Sequence, residues 1–200
     1  MKISIDLNDV LRAYTAQFAS YYKKNIDRKF DIDAVDVWTN DLVQIFPFKS
    51  REDYLSFLYD DYVFEIFGAA DKTHKNIGST FSDWCVDLEN LDDIPELTIV
   101  SVDEYNKSIG STYFFLSKLA VQVPTVKLYL KDHNIWDECD VLITANPELL
   151  MLKPEGKVSV KIKTSYNEEE DSDFTYNGFI ELLNDIEFLN NISEKIKQND

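Results

Sequence analysis

The chain has 200 residues, of which 44% are hydrophobic and 14% aromatic, and its formal net charge is −17. This length and composition predict one globular domain with at most a small insertion, and they exclude a disordered or disulfide-dependent chain. Because an acidic surface repels phosphate backbones and anionic lipid, we expect no direct binding to nucleic acid or membranes.

The cysteines, and the lack of recognisable targeting signals, predict a cytoplasmic protein. Cys85 and Cys139 fit no metal-binding spacing, so both are expected to be reduced thiols. The sequence has no run of about 18 apolar residues, so we expect no membrane span. The opening sequence MKISIDLND has no apolar segment of the kind that a signal peptide carries.

The hydrophobic pattern along the chain predicts an α/β protein with one helical insertion. Residues 2–7 predict a buried strand followed at once by a helix. Residues 31–94 hold helical patterns and no convincing strand, and the clearest of them is a wide apolar stripe over residues 55–67. The elements predicted from residue 96 onwards are, in order, a strand at 97–102, a helix at 108–121, strands at 126–130, 141–144 and 158–162, and a last helix at 179–196.

Strands that alternate with helices predict a doubly wound parallel sheet. In the strand at 158–162, lysine and serine alternate with valine and isoleucine, a pattern typical of an edge strand. We assign residues 1–30 and 95–200 to the α/β core and residues 31–94 to an inserted helical cap.

Polar residues follow the predicted strands, where doubly wound sheets bind their ligands. The first strand ends in Asp6-Leu7-Asn8-Asp9-Val10, and the second ends in Ser101. Residues 137–147 read DECDVLITANP, and Ser-Tyr-Asn at 165–167 follows the last strand. In this order, the four segments resemble the motifs of the HAD phosphatase superfamily, in its 5′(3′)-deoxyribonucleotidase branch. The resemblance implies a five-stranded sheet of order 5-4-1-2-3, with residues 2–7 in the centre.

The resemblance also implies a role for each matched position. Asp6 takes the place of the nucleophile that forms an aspartyl-phosphate. Ser101, together with Lys131 through a local rearrangement, takes the place of the groups that hold the phosphoryl oxygens. Asn8 occupies the acid/base position, although an amide cannot exchange a proton near neutral pH.

The metal-binding position of the family is also changed. Thr144 and Ala145 stand where the resemblance implies paired acids, and Asp9 is one residue beyond the acid/base position. Mg²⁺ prefers carboxylate ligands, so we expect no metal or other cofactor.

These substitutions predict a catalytically inactive HAD-like domain that acts as a structural or interaction protein. If the chain is phage-encoded, we expect a virion or accessory component. Two alternatives stay open. One is a Mg²⁺-dependent 5′(3′)-deoxyribonucleotidase that uses Asp6, Ser101 and Lys131, and the other is a ligand-binding protein without turnover.

An aromatic surface is predicted on the helix over residues 54–67. Tyr54, Phe57 and Phe64 lie off the buried stripe of this helix, and exposed aromatic patches mark contacts. Because the net charge disfavours self-association, we expect a hetero-assembly with another protein. In the alternative, neighbouring cap helices cover these three rings.

Overall fold

The computed structural model describes the chain except for four single residues, one pair and two longer gaps. The described residues are 1–35, 45–91, 93–103, 105–119, 121, 125–130 and 133–199. Lys131 lies outside them, as does part of the predicted cap. None of the described helices is long and apolar enough to cross a membrane.

Six parallel strands form one sheet in the order β3-β2-β1-β4-β5-β6. The bounds of the strands are β1 Lys2–Asp6, β2 Glu96–Val102, β3 Val126–Tyr129, β4 Val141–Thr144, β5 Val158–Ile162 and β6 Phe174–Tyr176. The predicted fold class, the central position of the first strand and the order of the first five strands are confirmed, whereas the predicted number of five strands is wrong.

The sixth strand corrects the prediction that β5 lies at the edge of the sheet. β6 pairs with β5 in parallel, and all five residues of β5 are buried. Polar groups of β5 form hydrogen bonds with the loop that leads to β6. Lys161 donates to the carbonyl of Glu170 at 2.5 Å, and the backbone N–H of Ser159 donates to Asp173 at 2.9 Å.

The helices are shorter than predicted, and the last one is divided. Their bounds are α1 Tyr14–Asn25, α2 Arg51–Ser56, α3 Ile77–Glu89, α4 Ile109–Leu119, α5 Pro147–Met151, α6 Phe179–Leu183 and α7 Phe188–Asn199. A turn separates α6 from α7 and leaves Ile186 94% exposed. The periodicity of the sequence had placed Ile186 on the apolar face of one continuous helix.

Both faces of the sheet are covered. Ile3 and Ile5 of β1 belong to the main core, together with apolar side chains from α3, α4, α6 and α7. Val100 and Leu142 lie in a smaller cluster around the buried Trp136, on the opposite face. Asp6 pairs with Val100, so its side chain lies on that opposite face.

A second, aromatic core lies between α1 and residues 45–67. In contrast, α3, which the sequence assigns to the cap, contributes Phe81 and Trp84 to the main core. The division into a core and a cap stays a prediction.

One of the three predicted surface aromatics is buried. Phe57 is 3% exposed and packs edge-on against Phe18, with 5.6 Å between ring centroids. The reason is that residues 57–61 and 64–68 form wider π-helical turns after α2, which change the direction in which each side chain points. Tyr54 is half-buried, whereas Phe64 is 46% exposed and contacts Phe114. The hetero-assembly stays a prediction, without Phe57 in its surface.

Two helical glycines provide a matched test of this packing. A Cβ atom on Gly78 in α3 would lie 2.2 Å from the backbone oxygen of Leu119, whereas one on Gly110 in α4 would meet nothing within 4 Å. We expect Gly78→Ala to lower the free energy of unfolding by about 2 kcal/mol or more, because a backbone atom must move. We expect Gly110→Ala to raise it by about 0.5–1 kcal/mol through helix propensity. Urea unfolding measures both values, and equal effects would contradict the close approach of α3 to α4.

Candidate active site

Asp6 is the centre of the site at the carboxyl end of the central strand. Its Oδ2 accepts a hydrogen bond from the Thr144 hydroxyl at 2.8 Å, and its Oδ1 accepts a long one from the Asn8 backbone N–H at 3.4 Å. The Thr144 oxygen in turn accepts from the backbone N–H of Asn146 at 2.9 Å. The ends of β1 and β4 therefore fix the orientation of the carboxylate.

The environment of Asp6 favours its neutral form. Burial raises the pKa of this carboxyl to about 6, and the hydrogen bond from Thr144 and that from the Asn8 backbone oppose this shift. The group is therefore mostly ionised at pH 7. A carboxylate with this pKa, held at the end of a strand, is suited to act as a nucleophile.

Asp9 lines the same cavity as Asp6, although it is one residue beyond the acid/base position of the family motif. Its backbone adopts a φ of 56°, the left-handed conformation that Asp tolerates better than most residues. Its Oδ2 accepts from the Thr15 hydroxyl at 2.5 Å and from the Tyr166 hydroxyl at 2.6 Å, and its Oδ1 accepts from the Thr15 N–H at 3.0 Å. Burial raises the pKa of Asp9, against these hydrogen bonds.

The turn after β5 brings Tyr166 to Asp9. Asn167 is buried, and its Nδ2 donates to the carbonyls of Ala145 and Ile162, both at 2.9 Å. Its Oδ1 accepts from the Thr164 N–H at 2.9 Å. The Ser-Tyr-Asn segment recognised in the sequence is therefore tied to the ends of β4 and β5, with its tyrosine facing the site.

Asn8 faces Arg12 and not a carboxylate. The Asn8 Oδ1 accepts from Arg12 Nε at 3.0 Å and from Arg12 Nη2 at 2.6 Å. Burial lowers the pKa of Arg12 to about 10, so its guanidinium stays charged at neutral pH. The sequence offered a signal here, because Arg12 is a lone charge in an otherwise apolar stretch.

A cavity of about 150 Å³ lies beside Asp6 and is lined by three acids, Asp6, Asp9 and Glu148, among other residues. A larger cleft of about 940 Å³ adjoins it, and Asp9 and Tyr166 line both. A small reacting group fits the cavity, while the cleft can hold the rest of a substrate.

Ser101 is not among the residues that line this cavity, and its role in phosphate binding stays a prediction. Val100 is the partner of Asp6 in the sheet, so Ser101 points to the opposite face, and the next residue, Val102, lines the cavity. The predicted role of Lys131 falls outside the described residues.

The donor groups at the site do not fit a Mg²⁺ ion. The structure shows Thr144 and Ala145 at the expected position of the paired acids, and the oxygens of Asp9 already accept three hydrogen bonds. Within the described ranges, no three His, Cys, Asp or Glu side chains converge to hold a metal ion. Hard divalent cations need several such oxygens.

Comparison with known proteins identifies the fold. No family model and no curated protein matches the sequence. Among solved structures, the chain is similar to a candidate haloacid dehalogenase-like hydrolase from Burkholderia xenovorans LB400. The TM-score is 0.53, and the match covers 94% of this chain and 97% of that chain. The chain has a haloacid dehalogenase-like fold.

This comparison overturns the expectation that the chain is not an enzyme. The similar structure is that of a candidate hydrolase, and the likeness extends over nearly the whole chain, although the two sequences are only 14% identical. The deoxyribonucleotidase branch and the phage origin stay predictions.

The burial of Asp6 predicts a measurable cost to stability. A carboxyl whose pKa rises from 3.8 to about 6 on folding destabilises the folded state only when it is ionised. This cost is absent below pH 3.8, grows as the pH rises towards 6, and is complete above that value. We expect Asp6→Asn to raise the free energy of unfolding at pH 7.5 by roughly 1–3 kcal/mol.

Urea unfolding at pH 7.5 and pH 4.5 measures this effect, and the gain should shrink at the lower pH. Asp83→Asn, the same change at an exposed position of α3, is the control and should leave stability nearly unchanged. A loss of stability in Asp6→Asn at pH 7.5 would contradict the unfavourable burial of this charge.

Proposed function

We propose that the protein is a phosphomonoester hydrolase that works through an aspartyl-phosphate on Asp6. The observation that carries this proposal is the Asp6 carboxylate, held by Thr144 at the end of the central strand and opening into a small cavity. The haloacid dehalogenase-like fold supports it, because the family resemblance places the nucleophile at this position.

In the first step, Asp6 attacks phosphorus and the bond to the leaving oxygen breaks. Asp9 supplies the proton that this oxygen needs, because Asn8 has none to give and Asp9 lines the same cavity. In the second step, water attacks the phosphorus, Asp9 takes its proton, and Asp6 is released with inorganic phosphate. No step in this scheme uses a metal ion, since the described donors do not fit one.

The large cleft supports a substrate with a sizeable leaving group. Phe30, Ser20 and Lys23 line it beside Asp9 and Tyr166. An aromatic ring and polar donors suit a nucleoside, so deoxynucleoside monophosphates are the first substrates to test.

Phosphate release from 2′-deoxynucleoside monophosphates tests the role of Asp6. We expect turnover to fall at least about 10³-fold in Asp6→Asn, with Asp83→Asn unchanged. In the native chain, the rate should decline below about pH 6, where Asp6 becomes protonated. Parallel assays with EDTA and with added Mg²⁺ test the metal-free scheme, which predicts turnover in both. Full activity in Asp6→Asn would refute the proposed nucleophile.

The role of Asp9 is tested separately. Asp9→Asn removes the proposed acid and base but keeps its shape, so we expect turnover to fall by about 10²–10⁴-fold. Substrates with good leaving groups, such as p-nitrophenyl phosphate, should be less affected in the first step, because their oxygen needs no proton. An equal loss for good and poor leaving groups, with no change in the pH profile, would argue against this role.

A further inference from the structure

Arg12 is a buried cation whose hydrogen-bond acceptors are all neutral groups. Its side chain is 0% exposed, and within the described part of the chain no acid lies at ion-pair distance from it. Besides Asn8, it donates to the Phe67 carbonyl at 2.9 Å and to the Thr112 hydroxyl at 3.1 Å. All of these acceptors are neutral. Asp9, Asp6 and Asp103 attract this charge from a greater distance. Burying a guanidinium without a direct carboxylate partner is costly, so its position calls for a physical explanation.

The chemistry of this contact fixes the orientation of the Asn8 amide. A guanidinium has five N–H donors and no acceptor, so the atom that faces Arg12 must be the Asn8 oxygen. The Asn8 nitrogen Nδ2 then points away from Arg12, and Asn8 lines the small cavity with Asp6. Within the described ranges, Nδ2 makes no hydrogen bond of its own.

The cation behind the amide also strengthens it as a donor. Two charge-assisted hydrogen bonds to Oδ1 draw electron density away from Nδ2, and hydrogen bonds in a chain polarise one another. Three acids, Asp6, Asp9 and Glu148, are among the residues that line the cavity, so a fixed donor there offsets their repulsion of a phosphoryl group. Such a donor stabilises negative charge that develops during the reaction.

We propose that Asn8 is a catalytic hydrogen-bond donor to the phosphoryl oxygens and that Arg12 is its positioning residue. This inference rests on the proposed function, and it assigns Asn8 a role of its own in place of a lost acid. Arg12 serves the site without contacting the substrate, because it fixes and polarises the amide.

Asn8→Asp separates this inference from the loss of an acid. If Asn8 is merely a lost acid/base, restoring Asp should raise the rate. If Asn8 is the donor, the new carboxylate pairs with Arg12, has no N–H to offer and adds negative charge to the cavity. We then expect kcat/KM to fall about 100-fold, mainly in kcat.

The assay compares the native chain with Asn8→Asp, Asn8→Ala and Asn76→Asp. Asn76→Asp is the matched control, since Asn76 is exposed just before α3 and an acid is favourable there. Urea unfolding confirms that each variant is folded. Calorimetric titration with orthovanadate supplies a second measurement that needs no turnover, and we expect its affinity to fall about 10-fold or more in both Asn8 variants.

The outcomes distinguish this inference from the proposed function. Turnover that is retained or increased in folded Asn8→Asp overturns the donor role and leaves the hydrolase standing. Absence of turnover in the native chain, with vanadate binding that depends on Asn8, refutes hydrolysis and supports the donor. Absence of both turnover and vanadate binding refutes both.

Discussion

The burial of Arg12 is the constraint on which the arrangement of the site depends. One guanidinium reaches the Asn8 amide at the cavity, the Phe67 carbonyl in the aromatic region and the Thr112 hydroxyl in α4. It also lies over the rings of Phe67 and Phe115, at 5.1 and 5.6 Å from their centroids. These contacts join the end of β1 to two packed regions, so they tie the loop after Asp6 to both of them.

The acids at the site lower the stability of the folded chain. Asp6 is buried and Asp9 is half-buried, and burial raises the pKa of each although each accepts hydrogen bonds. A chain selected for stability alone would exchange such groups for neutral ones, because buried ionised carboxylates cost free energy. Their presence beside a cavity at the carboxyl ends of parallel strands is typical of a site where chemistry takes precedence over stability.

The sequence predicts the parts of this structure that depend on regular patterns. Strands that alternate with helices predict the parallel sheet, and the family resemblance implies the order of its first five strands. The segments that contain Asp6, Thr144 and Asn167 meet as expected. β6 could not be predicted, because it has only three residues and follows an acidic loop. The buried position of Phe57 was missed because π-helical turns interrupt the period on which the prediction was based.

The misjudged residues of the site share one physical cause. Motif spacing assumes that the backbone follows the same path in every member of a family. Asp9 is one residue beyond the motif position, but its left-handed φ directs its carboxyl to the cavity. Ser101 matches the motif, but the regular pleat of β2 directs its side chain away from the cavity. Neither effect can be read from residue identity. The motif comparison fails in a similar way at Asn8. The chemical role of this amide depends on the charge of Arg12, which faces it from four residues along the chain.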